Sequence, residues 1–375
     1  MDRSLTRRDF MSASVRVAGG LGLSLLGNAL VLSPVYAGGA DDFGPLQPPD
    51  ANGLQLPPGF SSRVVAISGQ PVGGTGFRWH VKPDGGAVFV TDSGGWIYVS
   101  NSEEESGGGG VGAIEFDADA NLVNAYSICT GTTRNCAGGP TPWGTWLTCE
   151  EEVNGQVYEC NPYAPGNGIL RAAMGTFRHE AAAVDPIHKC VYLTEDRPTG
   201  KLYRFRPTTY PDLSSGLLEV AQVAGGTIAL GEVRGLSWTT SVAAGSSFNG
   251  GEGCWYDGSG RVYFSTKGDS RVWRMDTTVS PETLEIFYDG DGSLTQSDNV
   301  YAAGNGDVYV AEDAGNLEIV ALTQSGAVHP IVRLTGRWGT EITGPALNPA
   351  GDRLYFSEQR SPGTTYEVKG PFQAA

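Results

Sequence analysis

Basic residues, histidine and long apolar runs are all scarce in this 375-residue chain. Lysine and arginine together number 25 against 41 acidic residues, giving a formal net charge of −16. This balance argues against a nucleic-acid partner, because binding to phosphate backbones requires a basic surface. Four histidines leave little for a histidine-rich zinc site, and the absence of any Cys-x-x-Cys pair argues against a zinc ribbon.

Glycine and apolar residues are abundant by contrast. The chain contains 55 glycines and 22 prolines, and 40% of its residues are apolar while 18% are charged. Helix-favouring runs are few, so this composition predicts an all-β fold of short strands joined by tight turns around a packed core.

The first 37 residues resemble a twin-arginine export signal. Arg7 and Arg8 precede an apolar run at 17–32, and small residues follow at 36–38. The alternative is a short membrane anchor, but glycines and Asn28 interrupt the run, and a span requires about 20 apolar residues. We therefore expect a periplasmic or secreted protein without a stable membrane span, and a mature domain at 38–375.

A strand pattern that ends in polar or acidic residues recurs along the chain. Its copies are I-Y-V-S-N-S-E (97–103), W-L-T-C-E-E (146–151), V-Y-L-T-E-D (191–196), V-Y-F-S-T-K (262–267), V-Y-V-A-E-D (308–313) and L-Y-F-S-E-Q (354–359). Their first residues are spaced by 49, 45, 71, 46 and 46. A period near 46 is the size of a four-stranded blade, so six copies predict a single six-bladed β-propeller domain.

The long spacing of 71 fits an insertion at about 208–247, and Pro and Gly predict an extended lead-in at about 38–60. The alternatives are an all-β sandwich with accidental spacing and a parallel β-helix, whose period is shorter.

Equivalent strand ends of a propeller surround one mouth of the channel, so the repeated acids should converge. The candidates are Glu103, Glu150, Glu151, Glu195, Asp196, Glu312, Asp313 and Glu358. So many carboxylates cannot all stay ionised without cations, and hard ions such as calcium, magnesium, manganese or ferric iron are suitable partners. The alternative is that each pair caps a turn or faces solvent.

The segment N-C-A-G-G-P-T-P-W-G-T-W-L-T-C-E-E (135–151) resembles the PhoX-type alkaline phosphatase family. Further matches follow in order over about 45–372, so the chain looks like a short member. They are R-H-E-A-A-A-V-D-P (178–186), V-Y-L-T-E-D with K-L-Y-R-F-R-P (191–207), G-E-G-C-W-Y-D-G (251–258), V-Y-F-S-T-K-G-D (262–269), S-D-N-V (297–300), V-Y-V-A-E-D (308–313), E-I-T-G-P (341–345) and G-P-F (370–372).

The resemblance implies an exported six-bladed propeller with calcium and ferric ions at the channel, which hydrolyses phosphate monoesters and some diesters. It implies that Cys136 is an iron ligand, although a disulfide with Cys129 is an alternative for this thiol. The carboxylate ligands that the resemblance and the repeat indicate are Glu103, Glu150, Glu180, Glu195, Asp196, Glu252, Glu312 and Asp313.

Catalysis would then be metal-assisted hydrolysis by an activated water or oxo group, with a basic residue holding the phosphate of a small ester substrate. Lys267 is the first candidate, because it takes the place of an acid in the repeat; it could equally be a counter-ion. Arg178 and Arg197 are further candidates. The segment F-N-G-G-E-G (248–253) lacks the arginine that tends to precede this glutamate in the family.

Two other functions are compatible with a propeller. A calcium-dependent lactonase is one, although it needs no thiolate ligand such as Cys136. A non-enzymatic, metal-stabilised binding propeller is the other, and the missing arginine favours it. We expect a monomer in each case.

Overall fold

Short antiparallel strands make up most of the regular structure between residues 43 and 372, the part of the chain that the computed structural model describes. The first strands are β1 (Leu54–Gln55), β2 (Ser61–Ile67), β3 (Pro83–Val90), β4 (Trp96–Ser102), β5 (Gly109–Phe116), β6 (Leu122–Thr132), β7 (Asn135–Pro140), β8 (Trp146–Glu150), β9 (Val157–Cys160), β10 (Ile169–Leu170), β11 (His179–Asp185), β12 (Cys190–Glu195) and β13 (Leu202–Thr209). The remaining strands are β14 (Asp212–Val223), β15 (Val233–Thr239), β16 (Gly251–Tyr256), β17 (Arg261–Thr266), β18 (Arg271–Asp276), β19 (Thr283–Asp289), β20 (Ser297–Ala302), β21 (Val308–Glu312), β22 (Glu318–Leu322), β23 (Val328–Leu334), β24 (Glu341–Leu347), β25 (Arg353–Gln359) and β26 (Thr364–Lys369). Single 3-10 turns lie at Ala172–Met174, Val242–Ala244 and Lys267–Asp269.

The strands form five sheets in a propeller-like arrangement. Four sheets contain four or five strands, in the orders β3-β4-β5-β6, β10-β9-β8-β7, β2-β26-β25-β24 and β1-β23-β22-β21-β20. The fifth sheet has nine strands, in the order β11-β12-β13-β14-β15-β19-β18-β17-β16. The all-β propeller-like class is therefore confirmed.

The prediction of six separate blades is wrong. The nine-stranded sheet joins two repeats because β15 pairs with β14 through Val220–Val223 and with β19 through Thr283–Glu285. Strand β15 belongs to the segment predicted as an insertion at 208–247. Both edges of β15 are hydrogen-bonded, one to each unit, so two units that the repeat spacing predicts as separate blades form one sheet.

Each copy of the sequence repeat occupies the second strand of a four-strand unit, namely β4, β8, β12, β17, β21 or β25. The tyrosine of the repeat is fully buried in five copies, at Tyr98, Tyr192, Tyr263, Tyr309 and Tyr355. These rings pack between neighbouring sheets; the rings of Tyr98 and Tyr355, for example, stack with centroids 5.1 Å apart. Burial of these aromatic side chains supplies much of the contact between sheets.

The first strands of the units surround the centre of the molecule. Strands β3, β7, β11, β16, β20 and β24 contact one another in that order, and β24 contacts β3 again. The approach between β7 and β11 is so close that a Cβ atom on Gly139 would lie 1.7 Å from the carbonyl oxygen of Ala182. Glycine is therefore required at this contact.

The N-terminal strands complete the last two sheets. Strand β1 pairs with β23, with Leu54 opposite Leu334, and β2 pairs with β26, with Ser61 opposite Lys369. The predicted export signal (1–37) lies outside the described residues, as do the first residues of the predicted lead-in. No helix between residues 43 and 372 is long and apolar enough to cross a membrane.

Candidate metal centre

A β-bulge recurs near the start of the inner strands and directs one side chain per strand into the channel. In five units the register shifts directly after Pro83, Asn135, His179, Gly251 or Ser297. An extra residue in a strand re-aims the side chains around it. The residues that follow these five positions are Asp84, Cys136, Glu180, Glu252 and Asp298. In the sixth unit the bulge follows Thr343, and the next residue is Gly344.

A second set of side chains comes from the residue directly after five of the six repeat strands, β4, β8, β12, β17 and β21. Its members are Glu103, Glu151, Asp196, Lys267 and Asp313. Glu341, the first residue of β24, adds another carboxylate beside Asp84 and Glu103. The structure thus brings together residues that are more than 200 positions apart in the chain.

Three groups of potential metal ligands result. They are Cys136 with Glu151 and Glu180, Asp84 with Glu103 and Glu341, and Glu180 with Glu252 and Asp298. Within each group, one ligand atom from each residue lies within 4.8 Å of the others. Glu180 belongs to two groups, so one carboxylate can connect two neighbouring cation positions.

Glu180 provides a test of whether these residues fit a metal. Its side chain is fully buried, and neither carboxylate oxygen has a hydrogen-bond partner among the described residues. Buried polar groups are normally paired, and a buried carboxylate without a partner is strongly disfavoured. A cation held by the two groups that share Glu180 would provide the missing ligand bonds, so the residues present fit a metal.

Burial is the largest cause of the altered acidity in the channel. It raises the pKa of Asp84, Glu180 and Glu252 well above the ordinary values, with neighbouring carboxylates adding to the effect at Asp84 and Glu180. Burial also raises the pKa of Asp298 and of Glu151 to about 7. Such carboxyls hold protons in the absence of a cation and release them when a cation binds.

Cys136 is a free thiol whose sulfur donates to Asp84 Oδ2 at 3.3 Å. Burial, followed by the charge of Asp84, raises the pKa of this thiol well above its ordinary value. A metal ion reverses this preference because it binds the thiolate. All six cysteines, including Cys129, are free in the described residues, so the alternative disulfide between Cys129 and Cys136 does not form here.

Asn101 fixes the strand that carries Cys136. Its amide nitrogen donates to the carbonyl oxygens of Cys136 and Ala137 at 3.1 and 2.7 Å. Its amide oxygen accepts from Trp146 Nε1 at 2.9 Å and from Thr148 Oγ1 at 3.0 Å. The fully buried side chain therefore uses all its hydrogen-bonding capacity to position this inner strand.

The first acid of each predicted pair has a different role from the second. Glu150, Glu195 and Glu312 lie outside the three ligand groups. The predicted ligands Asp196 and Asp313 also lie outside them, beside Lys267. Glu150 Oε1 accepts from the backbone N–H of Thr133 at 2.8 Å, and Glu195 Oε2 accepts from the backbone N–H of Lys201 at 3.1 Å.

Glu312 follows the same pattern, because it accepts from the backbone N–H groups of Thr295 and Glu318 at 2.7 and 2.9 Å. Glu358 is fully buried beside Arg337 and Arg360. These carboxylates therefore hold loops and neighbouring strands, and not the channel groups.

Several members of the groups are absent from the sequence-predicted ligands. Asp84, Asp298 and Glu341 are such residues, and Glu151 appeared only as one of the repeated acids. A sequence signal for Asp84 and Asp298 does exist, because similar tripeptides occupy equivalent positions ahead of five repeats. They are P-D-G, N-C-A, H-E-A, G-E-G and S-D-N. Glu341 has no such signal, since it lies before its own bulge.

Arg134, which was not identified from the sequence, forms ion pairs with two of the potential ligands. Its guanidinium contacts Glu103 Oε1 at 2.6 Å and also pairs with Glu151. Burial on its own would lower the pKa of Arg134, but these two carboxylates raise it above its ordinary value. Arg134 therefore holds together acids from two different ligand groups.

The three basic residues predicted from the sequence lie around the groups. Arg178 Nη1 is 3.4 Å from Glu151 Oε1, and Arg197 Nη1 is 3.6 Å from Glu195 Oε1. Both arginines line a cavity of about 830 Å³, together with Asp196 and Tyr203. Lys267 lies deeper, where its ammonium contacts channel carboxylates.

The family model described as alkaline phosphatase PhoX matches residues 106–161 and 152–257. The matched residues include Cys136, Glu151, Glu180 and Glu252. The resemblance to the PhoX family is confirmed. A comparison with curated proteins finds no significant match.

Solved structures show a similar fold. Pseudomonas fluorescens PhoX in complex with vanadate, a transition state analogue, is 16% identical with a TM-score of 0.74, covering 87% of this chain and 97% of the PhoX chain. A gluconolactonase from Xanthomonas campestris is 10% identical with a TM-score of 0.54, covering 88% of this chain and 98% of its own. At these identities the likeness concerns the fold.

Proposed function

We propose that this protein is a metal-dependent phosphoesterase that hydrolyses phosphate monoesters and some diesters. The observation that carries the proposal is the buried Glu180, whose unpaired carboxylate joins two groups of potential ligands. Arg178 connects these groups to the large cavity, because it contacts Glu151 at 3.4 Å and lines the cavity with Arg197. The chain also resembles PhoX. A cluster of cations next to a cavity with basic walls is suited to an anionic ester.

Calcium and ferric iron are the metals that we propose. The group of Cys136, Glu151 and Glu180 is suited to iron because it includes a thiol. The two groups that contain only carboxylates, Asp84 with Glu103 and Glu341, and Glu180 with Glu252 and Asp298, are suited to calcium. When bound, these cations would offset charge on the phosphate oxygens and make a water or oxo group a stronger nucleophile.

Arg178 and Arg197 are the residues that we propose to bind the phosphate. Both line the large cavity, and their side chains are 41% and 60% exposed, so their guanidinium groups remain accessible to a ligand. A guanidinium donates two parallel hydrogen bonds to phosphate oxygens. These arginines would supply the positive charge that the F-N-G-G-E-G segment (248–253) lacks. Lys267 remains a candidate for contact with the substrate, although its nearest partners are carboxylates.

Export by the twin-arginine route and a monomeric state remain predictions. The predicted signal ends before the first described residue, and its removal would leave the ligand groups intact because Asp84 is the first ligand in the chain.

The test combines metal analysis with turnover of p-nitrophenyl phosphate in the presence and absence of calcium. We expect iron and calcium in the purified protein and calcium-dependent turnover. Glu180→Gln keeps the shape of the side chain but removes its charge, and it should lower metal content and reduce kcat/KM at least about 100-fold. Glu219→Gln is the control, because Glu219 is also buried but pairs with Arg204 and Arg206 far from the groups.

The alternative functions predict different results. Calcium without iron, together with hydrolysis of lactones, would indicate a calcium-dependent lactonase. Iron and calcium without turnover of any ester would indicate a metal-stabilised binding propeller. A protein that binds neither metal would contradict the proposal.

A further inference from the structure

Lys267 occupies a position at which four other repeats carry a carboxylate. The residue directly after the repeat strand is Glu103 after β4, Glu151 after β8, Asp196 after β12, Asp313 after β21 and Lys267 after β17. In the sixth repeat Arg360 follows β25, but it pairs with Glu358. Lys267 is therefore the basic residue of this set that lies among the channel carboxylates. The local backbone explains how the side chain reaches the channel, since Lys267 begins a single 3-10 turn and its backbone N–H donates to Gly250.

The ammonium of Lys267 is surrounded by carboxylates from three different repeats. It lies 2.7 Å from Glu252 Oε1, 3.3 Å from Asp313 Oδ2 and 3.9 Å from Asp196 Oδ2. Glu252 is almost completely buried, whereas the lysine side chain is 31% exposed. Proteins bind hard divalent cations in the same way, with several carboxylate oxygens around one positive charge.

We propose that the ammonium group of Lys267 takes the place of one divalent cation in the channel. The proposal rests on the proposed function, because it concerns how many metal ions the acidic channel binds. It means that the ammonium offsets part of the negative charge of Asp196, Glu252 and Asp313, and that Glu252 lies between the ammonium and the ligand group of Glu180 and Asp298. Metal ions would then bind only at the three ligand groups described above.

The electrostatics of the lysine agree with this role. The ammonium lies 2.7 Å from the carboxylate of Glu252 and 3.3 Å from that of Asp313, so it is in contact with negative charge from two neighbouring units. An ammonium has three N–H donors. Glu252 and Asp313 lie within hydrogen-bond distance of it, and Asp196, at 3.9 Å, is a further ion-pair partner. Removal of one partner of an ion pair with a buried carboxylate such as Glu252 is costly, because the remaining carboxylate loses its counter-charge.

Removal of the ammonium should therefore create a cation site. Lys267→Met keeps most of the side-chain volume and removes the charge, and we expect it to bind about one more calcium ion per chain than the wild type. Bound calcium and iron would be measured by inductively coupled plasma mass spectrometry after equilibration with calcium and desalting. Calcium should also raise the Tm of this variant more than the Tm of the wild type.

Two control variants separate charge from other effects. Lys267→Arg keeps a cation at the position and should leave the calcium content unchanged. Lys82→Met removes a lysine with nearly the same exposure, 32% against 31% for Lys267. Lys82 has one carboxylate, Glu104, at 3.8 Å, and this variant should also leave the calcium content unchanged. Lys267→Gln, whose amide can still donate to Glu252, replaces the methionine variant if that chain does not fold.

The outcomes distinguish this proposal from the proposed function. A folded Lys267→Met chain with the same calcium content and the same calcium-induced change in Tm as the wild type would overturn the proposal, even if the wild type binds iron and calcium. Extra calcium in the variant would support the proposal, even if the wild type binds no metal and the proposed function fails.

Discussion

Glu150 and Glu151 are adjacent in the chain and have separate roles. Glu150 accepts backbone N–H groups of its own repeat, whereas Glu151 joins Cys136 and Glu180 at the channel. The reason is the geometry of an extended chain, in which successive side chains point to opposite sides. The same division separates Glu312 from Asp313, whose carboxylate lies beside Lys267. A pair of acids in this repeat therefore contributes one structural carboxylate and one that faces the channel.

A prediction at the residue scale concerns Asn101. Asn101→Leu removes four hydrogen bonds and leaves the buried Trp146, Thr148 and the carbonyl oxygen of Ala137 without this partner. We expect the free energy of unfolding to fall by about 2–4 kcal/mol, measured by urea denaturation. The control is Asn124→Leu on β6, where the side chain is exposed and the change should stay within about 0.5 kcal/mol. Equal losses in the two variants would contradict this role for Asn101.

At the scale of elements, the bulges of the inner strands organise the channel. Five of the bulges each direct one side chain inward, and the sixth bulge carries Gly344 in place of a ligand. Gly344 has a φ of 64°, and a Cβ atom there would lie 2.8 Å from the carbonyl oxygen of Asp84. At its bulge, the sixth inner strand therefore packs against the backbone of the strand that carries Asp84. The carboxylate that the sixth strand contributes to the ligand groups is that of Glu341.

The contact between β7 and β11 yields a prediction for Gly139. Gly139→Ala places a methyl group 1.7 Å from the carbonyl oxygen of Ala182, so the two inner strands must separate. We expect a loss of about 3 kcal/mol or more in stability, or a chain that does not accumulate in folded form. Gly74→Ala is the control, because its Cβ atom would meet no atom within 4 Å and its φ is not in the left-handed region. A Gly139→Ala protein as stable as the control would show that the strands can move apart without cost.

At the scale of the whole molecule, the dominant feature is the burial of acidic groups. Burial raises the pKa of Asp298 and of Glu151 from ordinary values near 4 to about 7. Between about pH 4 and pH 7 the metal-free folded protein therefore retains protons that the unfolded chain has already released. Stability decreases with rising pH wherever the folded state binds more protons than the unfolded state.

We therefore predict that the protein treated with a chelator becomes less stable as the pH rises from 5 to 8. Its Tm should fall by about 5 °C or more across this interval, measured by scanning calorimetry. Addition of calcium should restore the Tm at pH 8, because a cation stabilises the ionised carboxylates. A Tm of the metal-free protein that stays constant or rises between pH 5 and pH 8 would contradict this account.

The sequence predicted much of this arrangement and missed specific parts. The repeat located the second strand of every unit, and the resemblance indicated Cys136, Glu180 and Glu252. The number of separate blades was wrong because β15 forms hydrogen bonds on both edges, which spacing cannot reveal. Glu341 was missed because it is the first residue of β24 and lies before the bulge of that strand, so it matches neither repeated position.

The pairing of β1 with β23 and of β2 with β26 has a consequence for the order of assembly. Strands β1 and β2 are synthesised before the other described strands, yet their partners come last, because Leu54 pairs with Leu334 and Ser61 with Lys369. Until β23 and β26 have been synthesised, two sheets keep unpaired edges, and such edges are templates for aggregation. A chain that stops before β26 therefore leaves β2 without its partner.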